Sequence, residues 1–249
     1  MNYKMVGFVL GRIFLIEAAL MLFPMGCAAI YGEWSVALSF LWPALIVLAL
    51  GLITSLRTPQ NTKIYARDGL AIVALVWVLM SVFGALPFVI SGEIPSFADA
   101  FFETVSGFTT TGSTILTDVE ALSHGTLFWR SFSHWIGGMG VLVFAMAVLR
   151  AEVPGPTCGK ISSKLSDSAK ILYAIYLVMT VIETILLCAG GMPLFDALIH
   201  AFGTAGTGGF SNKALSVGAY NSPYFEIVIG VFMLLFGINF NLYYFLLLR

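Results

Sequence analysis

The stretch that decides the fold is residues 96–114, which read Ser96-Phe-Ala-Asp-Ala-Phe-Phe-Glu-Thr-Val-Ser-Gly-Phe-Thr-Thr-Thr-Gly-Ser-Thr114. It opens as a short apolar helix, with Ser96 and Asp99 spaced as a capping box. It continues into β-branched threonines and a glycine, which disfavour a helix. A helix over residues 96–106 would be about 16 Å long, roughly half the thickness of a bilayer core. A half-membrane helix followed by a Thr/Gly strand is typical of an ion-filter loop, where backbone carbonyls replace the water around a cation.

The same unit occurs a second time in the chain. An ungapped shift of 97 residues places Asp99 on Asp196, and it aligns residues 110–114 with residues 207–211. Both copies keep a Thr-x-Gly sequence at the same distance from an Asp-Ala pair that opens a short apolar helix. Identity between the copies is low, so chance recurrence of Gly/Thr-rich turns is the alternative. The repeat predicts a fold built from two similar units.

Composition identifies the class of protein. Of 249 residues, 59% are hydrophobic and 10% are charged, and the mean hydropathy is +0.96. Soluble domains carry about 25% charged residues, so the composition predicts an integral membrane protein. Three scattered cysteines show no ligand spacing and predict neither a disulfide framework nor a metal site. The net charge of −1 points to no partner, and a nucleic acid is not expected.

The hydropathy pattern predicts an all-α membrane protein with six transmembrane helices and two re-entrant loops, each made of a half-helix and a filter strand. The predicted spans are residues 6–31, 36–56, 69–90, 127–149, 171–189 and 224–248. The predicted half-helices are residues 96–106 and 193–203, followed by filter strands at 109–114 and 204–211. The corresponding domains are two extra N-terminal helices (1–67), a first span–pore loop–span repeat (68–152), a cytoplasmic basic loop (153–170) and a second repeat (171–249).

The basic residues predict the orientation of the chain in the membrane. All of the 12 except Arg130 and Lys213 fall at one end of the predicted spans. The positive-inside rule therefore predicts a multi-pass protein of the cytoplasmic membrane with a cytoplasmic N-terminus and both filter loops entering from outside. The outer ends are acidic, which would raise the local cation concentration. Alternatively, acids accumulate there only because the rule leaves room for them.

Four phrases together resemble the Trk/Ktr/HKT superfamily of potassium transporters. They are Phe-Phe-Glu-Thr-Val-Ser-Gly-Phe-Thr-Thr-Thr-Gly (101–112), Phe-Trp-Arg-Ser-Phe-Ser-His-Trp-Ile-Gly-Gly-Met-Gly (128–140), His-Ala-Phe-Gly-Thr-Ala-Gly-Thr-Gly-Gly-Phe-Ser (200–211) and Phe-Gly-Ile-Asn-Phe-Asn (236–241). The resemblance runs over residues 69–249, and the two extra N-terminal helices resemble the Trk branch. It implies a pore-forming subunit for potassium uptake rather than an enzyme, with K⁺ as the transported ion and no organic cofactor. It also implies a cytoplasmic nucleotide-binding regulatory subunit as a partner.

The chain departs from the family pattern in its number of repeats. The family has four repeats around one pore, whereas this sequence contains two. Two loops leave half of the ion's shell open. The chain is therefore expected to be the N-terminal half of a transporter, with the missing second half or a further copy of itself as a partner within the lipid bilayer.

The residues expected to bind potassium are three in each filter loop. They are Thr110, Thr111, Gly112, Thr207, Gly208 and Gly209. Glycine permits the backbone angles that aim successive carbonyls at one axis and lets strands approach closely. In the second copy, Gly208 and Gly209 could exchange roles, and simple helix-ending turns are the alternative for both loops.

Four ionisable residues are candidates for filter support or pore lining. Glu103 and its counterpart His200 either brace the filter from behind or face a solvated vestibule. Arg130 either pairs with Glu103 or competes with cations in the pore. Glu183 lies deep in the fifth predicted span, where an ionisable residue is a functional candidate or makes a helix–helix hydrogen bond.

Two other function classes remain as alternatives. One is a non-conducting membrane assembly subunit or an inactive fragment, which the missing repeats keep open. The other is an intramembrane hydrolase using Ser106-Gly107 or Ser131 with His134, of which Ser131 and His134 share a helix face. No Gly-x-Ser-x-Gly motif supports the hydrolase, and no Walker or dinucleotide motif is present.

Overall fold

The computed structural model describes residues 1–56, 59, 61, 65–151 and 158–247, and this part of the chain is helical without a β-strand. The α-helices are α1 Tyr3–Leu20, α2 Leu22–Ile30, α3 Trp34–Ser55, α4 Ala66–Ser91, α5 Phe97–Phe108, α6 His124–Ala151, α7 Cys158–Ala189, α8 Leu194–Ala205, α9 Pro223–Gly237 and α10 Phe240–Leu247. A 3-10 helix covers Ser216–Tyr220. Arg57 and Lys63, which contribute to the predicted orientation, lie outside the described residues.

Four stretches of the described chain are long and apolar enough to cross a membrane. They are Tyr3–Ile30, Trp34–Ser55, Ala66–Ser91 and Ile171–Ala189. Two shorter apolar helices are Leu194–Ala205 and Pro223–Gly237. The prediction of an all-helical membrane protein is therefore confirmed, and the described residues contain four stretches of spanning length where six were predicted.

Three predicted segments differ in the structure. The first span divides at Met21 into α1 and α2, because Pro24 has no N–H to donate to the carbonyl of Leu20. The last span divides at Ile238, whose extended backbone (φ −72°, ψ 142°) follows Gly237, a weak helix former. Of the predicted basic loop over residues 153–170, residues 153–157 lie outside the described residues, and helix α7 begins at Cys158. No proline follows the start of α7, so the backbone can satisfy its own hydrogen bonds beyond the apolar segment.

One compact unit comprises residues 1–105 and 122–130. Within it, α1 and α3 cross at Gly11 and Gly51, where a Cβ on Gly51 would lie 2.9 Å from the carbonyl oxygen of Gly11. Small residues let the two backbones approach this closely, as is common between membrane helices. The Trp129 indole of α6 donates to the carbonyl of Gly84 in α4 over 2.9 Å, so a buried polar group is satisfied across the unit.

The second unit comprises residues 106–121 and 131–249. Its aromatic core surrounds Tyr176 of α7, which is 1% exposed and packs against Phe236 and Phe240. The Tyr176 hydroxyl donates to the carbonyl of Trp135 in α6 over 3.2 Å. These contacts pack α7 against α6, α9 and α10 around the end of α8.

Candidate ion-binding site

Two short helices have equal length and are separated by the same 97 residues as the two sequence copies. Helix α5 runs from Phe97 to Phe108 and α8 from Leu194 to Ala205, each with 12 residues. Both ends are displaced by the 97 residues that relate the two sequence copies. At the start of α5, the Ser96 hydroxyl accepts the Asp99 N–H over 3.4 Å, which confirms half of the predicted capping box. The recurrence is therefore structural as well as sequential.

The two helices end in the same hydrogen-bonded turn. After α5, the Thr111 N–H donates to the carbonyl of Ser106 over 2.9 Å. After α8, the Gly208 N–H donates to the carbonyl of Gly203 over 3.2 Å, again 97 residues further on. This six-residue closure around a left-handed residue is a Schellman-type helix end. It turns the chain sharply and begins what we name the first loop (residues 109–114) and the second loop (residues 206–211).

The two loops have matching positive φ angles at two equivalent positions. Thr110 has φ 56° and Thr207 has φ 57°, while Gly112 has φ 76° and Gly209 has φ 79°. A β-branched residue at positive φ is a genuine outlier, because its side chain crowds the backbone there. Such strain costs about 1–3 kcal/mol and typically occurs at ligand clamps and other functional positions. The match also assigns Gly209, rather than Gly208, as the counterpart of Gly112.

The first and second loops touch through glycines. A Cβ on Gly112 would overlap the carbonyl oxygen of Gly208, and a Cβ on Gly208 would overlap Nε2 of His134. His134 is fully buried, and its ring meets Phe210 edge-on with centroids 4.0 Å apart. Two of the six predicted potassium ligands, Gly112 and Gly208, therefore lie in contact, and the backbones of the two loops meet there without intervening side chains.

Loop carbonyls are held by the helix ends behind them. The Ser106 hydroxyl of α5 donates to the carbonyl of Ser113 over 2.6 Å. In the second copy, the equivalent helix position is Gly203, where a Cβ would lie 2.6 Å from the carbonyl oxygen of Phe210. The first loop is thus held by a hydrogen bond from a side-chain hydroxyl, and the second loop by close contact with the helix backbone. Both contacts restrict the movement of the loop.

Glu103 and Arg130 form a buried ion pair. The Arg130 Nε donates to Oε1 of Glu103 over 2.5 Å, and the two residues are 3% and 1% exposed. Glu103 is therefore buried rather than facing a solvated vestibule. Arg130 pairs with Glu103, which was the first of the two roles considered for Arg130. Burying either charge alone would destabilise the protein, so each residue offsets the cost of burying the other. The pair ties α5 to α6.

Among the described residues, the second copy shows no equivalent ion pair. Counted from the first residue of each helix, Ile229 of α9 stands where Arg130 stands in α6. His200 replaces Glu103, is 4% exposed, and has no hydrogen-bond partner for Nε2 among the described residues. A cavity of about 250 Å³ is lined by His200, Ile229 and the backbone of the second loop. The two copies therefore share a backbone but differ in what supports it.

Glu183 is fully buried in α7 beside Thr204 of α8. Neither carboxylate oxygen meets the geometric criteria for a hydrogen bond among the described residues. The neighbouring Thr204 hydroxyl donates to the carbonyl of His200 over 2.8 Å. A buried carboxyl without a partner is costly, which keeps Glu183 a functional candidate. The structure places it against the helix that precedes the second loop.

Carboxylates outside the spans fix the segments around the helices. Glu33 accepts the N–H groups of His124 (2.9 Å) and Gly125 (3.0 Å) and so caps α6. Burial raises the pKa of Glu33, but these two hydrogen bonds and the His124 side chain outweigh it and lower the pKa. In the second unit, Glu120 accepts the Ala214 N–H over 3.2 Å, which together with Lys213 lowers the pKa of that carboxyl.

Sequence patterns missed the role of glycines outside the loops. A Cβ on Gly137 would overlap the carbonyl oxygen of Phe108, and one on Gly138 would lie 3.3 Å from the carbonyl oxygen of Ala205. Helix α6 therefore lies directly against the start of the first loop and the end of α8. The run of three glycines at 137, 138 and 140 was the available signal, but it predicted only close helix approach.

Comparisons with known proteins agree with this arrangement. The chain is 36% identical over 264 residues to the Trk system potassium uptake protein TrkH of Salmonella typhimurium, covering 99% of this chain and 54% of the relative. It is 35% identical over 262 residues to TrkH of Escherichia coli K12, with 99% and 54% covered. The crystal structure of the potassium transporter TrkH from Vibrio parahaemolyticus superposes with a TM-score of 0.87 at 31% identity, covering 98% of this chain and 52% of that one.

The chain spans about half the length of these relatives. The model of the family described as TrkH, cation transport protein, matches residues 39–249, which include both loops and both helix repeats. The family and the relatives are transporters, not enzymes, so the intramembrane hydrolase hypothesis finds no support. This chain belongs to the TrkH family of cation transport proteins.

Proposed function

We propose that this chain supplies two of the loops that surround K⁺ in a Trk-type uptake system. The observation that carries the proposal is the pair of matching loops, 97 residues apart, that meet at Gly112 and Gly208. Their backbone oxygens, chiefly those of residues 110–112 and 207–209, are the ligands that replace water around the ion. The relatives, which are named for potassium uptake, indicate the ion.

The helices behind the loops contribute to the same site. The C-terminal ends of α5 and α8 lead directly into the loops, and a helix C-terminus carries roughly half a negative charge. Both ends therefore favour a cation beside the loops. The Glu103–Arg130 pair, His200 and Glu183 then act as supports that position the loops rather than as ligands.

In this proposal, the loops re-enter from the outer side of the cytoplasmic membrane and the N-terminus is cytoplasmic. Potassium moves inward, the pathway is gated at the cytoplasmic side, and a nucleotide-binding subunit regulates it there. A half-shell of two loops does not enclose an ion, so conduction requires two further loops. A chain covering about half of its relatives agrees with that requirement.

Growth of a potassium-uptake-deficient bacterial strain on limiting K⁺ tests the proposal. The chain is expressed alone, with a separately encoded second half taken from a full-length relative, and fused to that half. We expect rescue only when the second half is present, and we expect Gly112→Ala to weaken that rescue. If all combinations are assembled in the membrane but none restores uptake, the chain is a non-conducting assembly subunit, the second candidate favoured by its two loops.

A further inference from the structure

A groove runs along the outward face of α1, outside the site described above. It measures about 360 Å³ and is lined by Arg12, Leu15, Ile16, Ala19, Leu20 and Phe23. These positions recur with helical spacing, so they form one continuous stripe that crosses the break at Met21. Ile16 and Phe23 are 57% and 58% exposed, so the first unit leaves this stripe uncovered.

Arg12 gives the groove its polarity. It is the one charged residue of the lining, and within the described part of the chain no carboxylate pairs with it. Its guanidinium lies over the ring of Phe8, 5.4 Å from the centroid and one turn nearer the N-terminus. The side chain therefore extends toward the N-terminal end of α1, the direction that a long basic side chain takes to reach a membrane interface.

The length of the groove matches one leaflet. Arg12 and Phe23 are 11 residues apart, which corresponds to about 16 Å of helix, or half of a hydrocarbon core of about 30 Å. The lining thus has a cationic end, whose guanidinium extends toward the N-terminal end of α1, and an apolar track of about the length of an acyl chain. A partner helix would cover the apolar track but would leave the Arg12 charge unpaired in the membrane.

We propose that this groove binds an anionic phospholipid of the leaflet at the N-terminal end of α1. The lipid phosphate pairs with the guanidinium of Arg12, whose planar fork matches phosphate oxygens. One acyl chain lies along the track from Leu15 to Phe23. A net-negative headgroup is preferred over a zwitterionic one by roughly fivefold, the effect of one basic residue near a charged membrane surface.

Native mass spectrometry of the purified chain, titrated with phosphatidylglycerol or phosphatidylcholine, measures this preference. We expect the wild type to retain phosphatidylglycerol about fivefold better. Arg12→Gln removes the preference, whereas Lys4→Gln, which removes the same charge from an exposed position outside the groove, keeps it. Equal retention of the two lipids by the wild type, or an unchanged preference in Arg12→Gln, overturns the proposal.

A second variant tests the acyl track with the charge intact. Ala19 is exposed, so Ala19→Phe fills the groove without disturbing the packing of the unit, and we expect it to weaken retention of phosphatidylglycerol. Full retention by Ala19→Phe contradicts the assigned track, even if Arg12→Gln fails to fold. Soluble glycerol phosphate, added as a competitor, is expected to leave the lipid bound; displacement would mean that the site takes a free phosphate rather than a lipid.

Discussion

Replacing Gly112 by alanine tests the contact between the first and second loops. The new Cβ would overlap the carbonyl oxygen of Gly208, and the residue would have to keep φ at 76°. The left-handed backbone costs an L-residue about 1–2 kcal/mol. Relieving the overlap requires one loop to move, at a further cost of about 1–3 kcal/mol by analogy with overpacked cores.

Gly209→Ala is the matched control for this substitution. It has nearly the same backbone angle, φ 79°, but nothing lies within 4 Å of its Cβ position. We expect it to lose only the conformational part, about 1–2 kcal/mol. The difference between the two variants therefore isolates the loop–loop contact.

Thermal unfolding of the purified variants in detergent gives the stability order, wild type above Gly209→Ala above Gly112→Ala. In the complete transporter, Gly112→Ala should also reduce discrimination of K⁺ over Na⁺ in flux assays, because displaced loops aim their carbonyls poorly. Gly191→Ala, at φ 97° in open space after α7, should leave selectivity unchanged. Equal stabilities of Gly112→Ala and Gly209→Ala, together with wild-type selectivity, would refute the reasoning.

Three further predictions concern the supports of the loops and helices. Arg130→Met leaves the Glu103 carboxylate buried without its cation and should destabilise the protein by about 3–5 kcal/mol. The double variant Glu103→Gln/Arg130→Met should recover part of that loss when the variants are compared by denaturation in a double-mutant cycle. Strictly additive effects would exclude a direct ion pair. Glu33→Gln removes the charged cap of α6 and should cost about 1 kcal/mol. Because folding lowers the pKa of Glu33, the carboxylate stabilises the folded protein at pH values above its unfolded-state pKa, and this stabilisation is lost as the pH falls through its folded-state pKa. The unfolding temperature of Glu33→Gln should therefore depend less on pH in the acid range than that of the wild type. Parallel pH profiles of the two proteins would contradict this role. Gly137→Ala should lower the unfolding temperature because the new Cβ overlaps the Phe108 carbonyl. Gly230→Ala, with open space around it, should leave the unfolding temperature unchanged or raise it, because alanine favours a helix over glycine; equal unfolding temperatures of the two variants would contradict the contact at Gly137.

The repeated element could be predicted from sequence because its signal is local. Pro193 and Ser96 mark helix starts, and the Thr/Gly runs mark helix ends, so the offset of 97 residues predicted both short helices within two residues of their ends. Span positions were predictable for the same reason, since hydropathy sums over many residues. Both breaks, at Met21 and Ile238, occur where a single proline or glycine outweighs a long apolar run.

Contacts between distant residues were predicted less well. The pairing of Glu103 with Arg130 was one of two hypotheses, because charge sign alone does not reveal which surfaces face each other. The exchange of roles between Gly208 and Gly209 also stayed open, since both are glycine and only the backbone angle distinguishes them. Nothing in the sequence context of His134 indicated that the second loop would lie against its ring.

The most direct test of the central claim locates the ion itself. Anomalous scattering from Rb⁺, in crystals of this chain assembled with a second half, shows where an alkali cation binds. We expect an anomalous peak for Rb⁺ in contact with backbone oxygens of residues 110–112 and 207–209. A peak at side-chain carboxylates such as Glu183, with none between the two loops, would contradict the central claim.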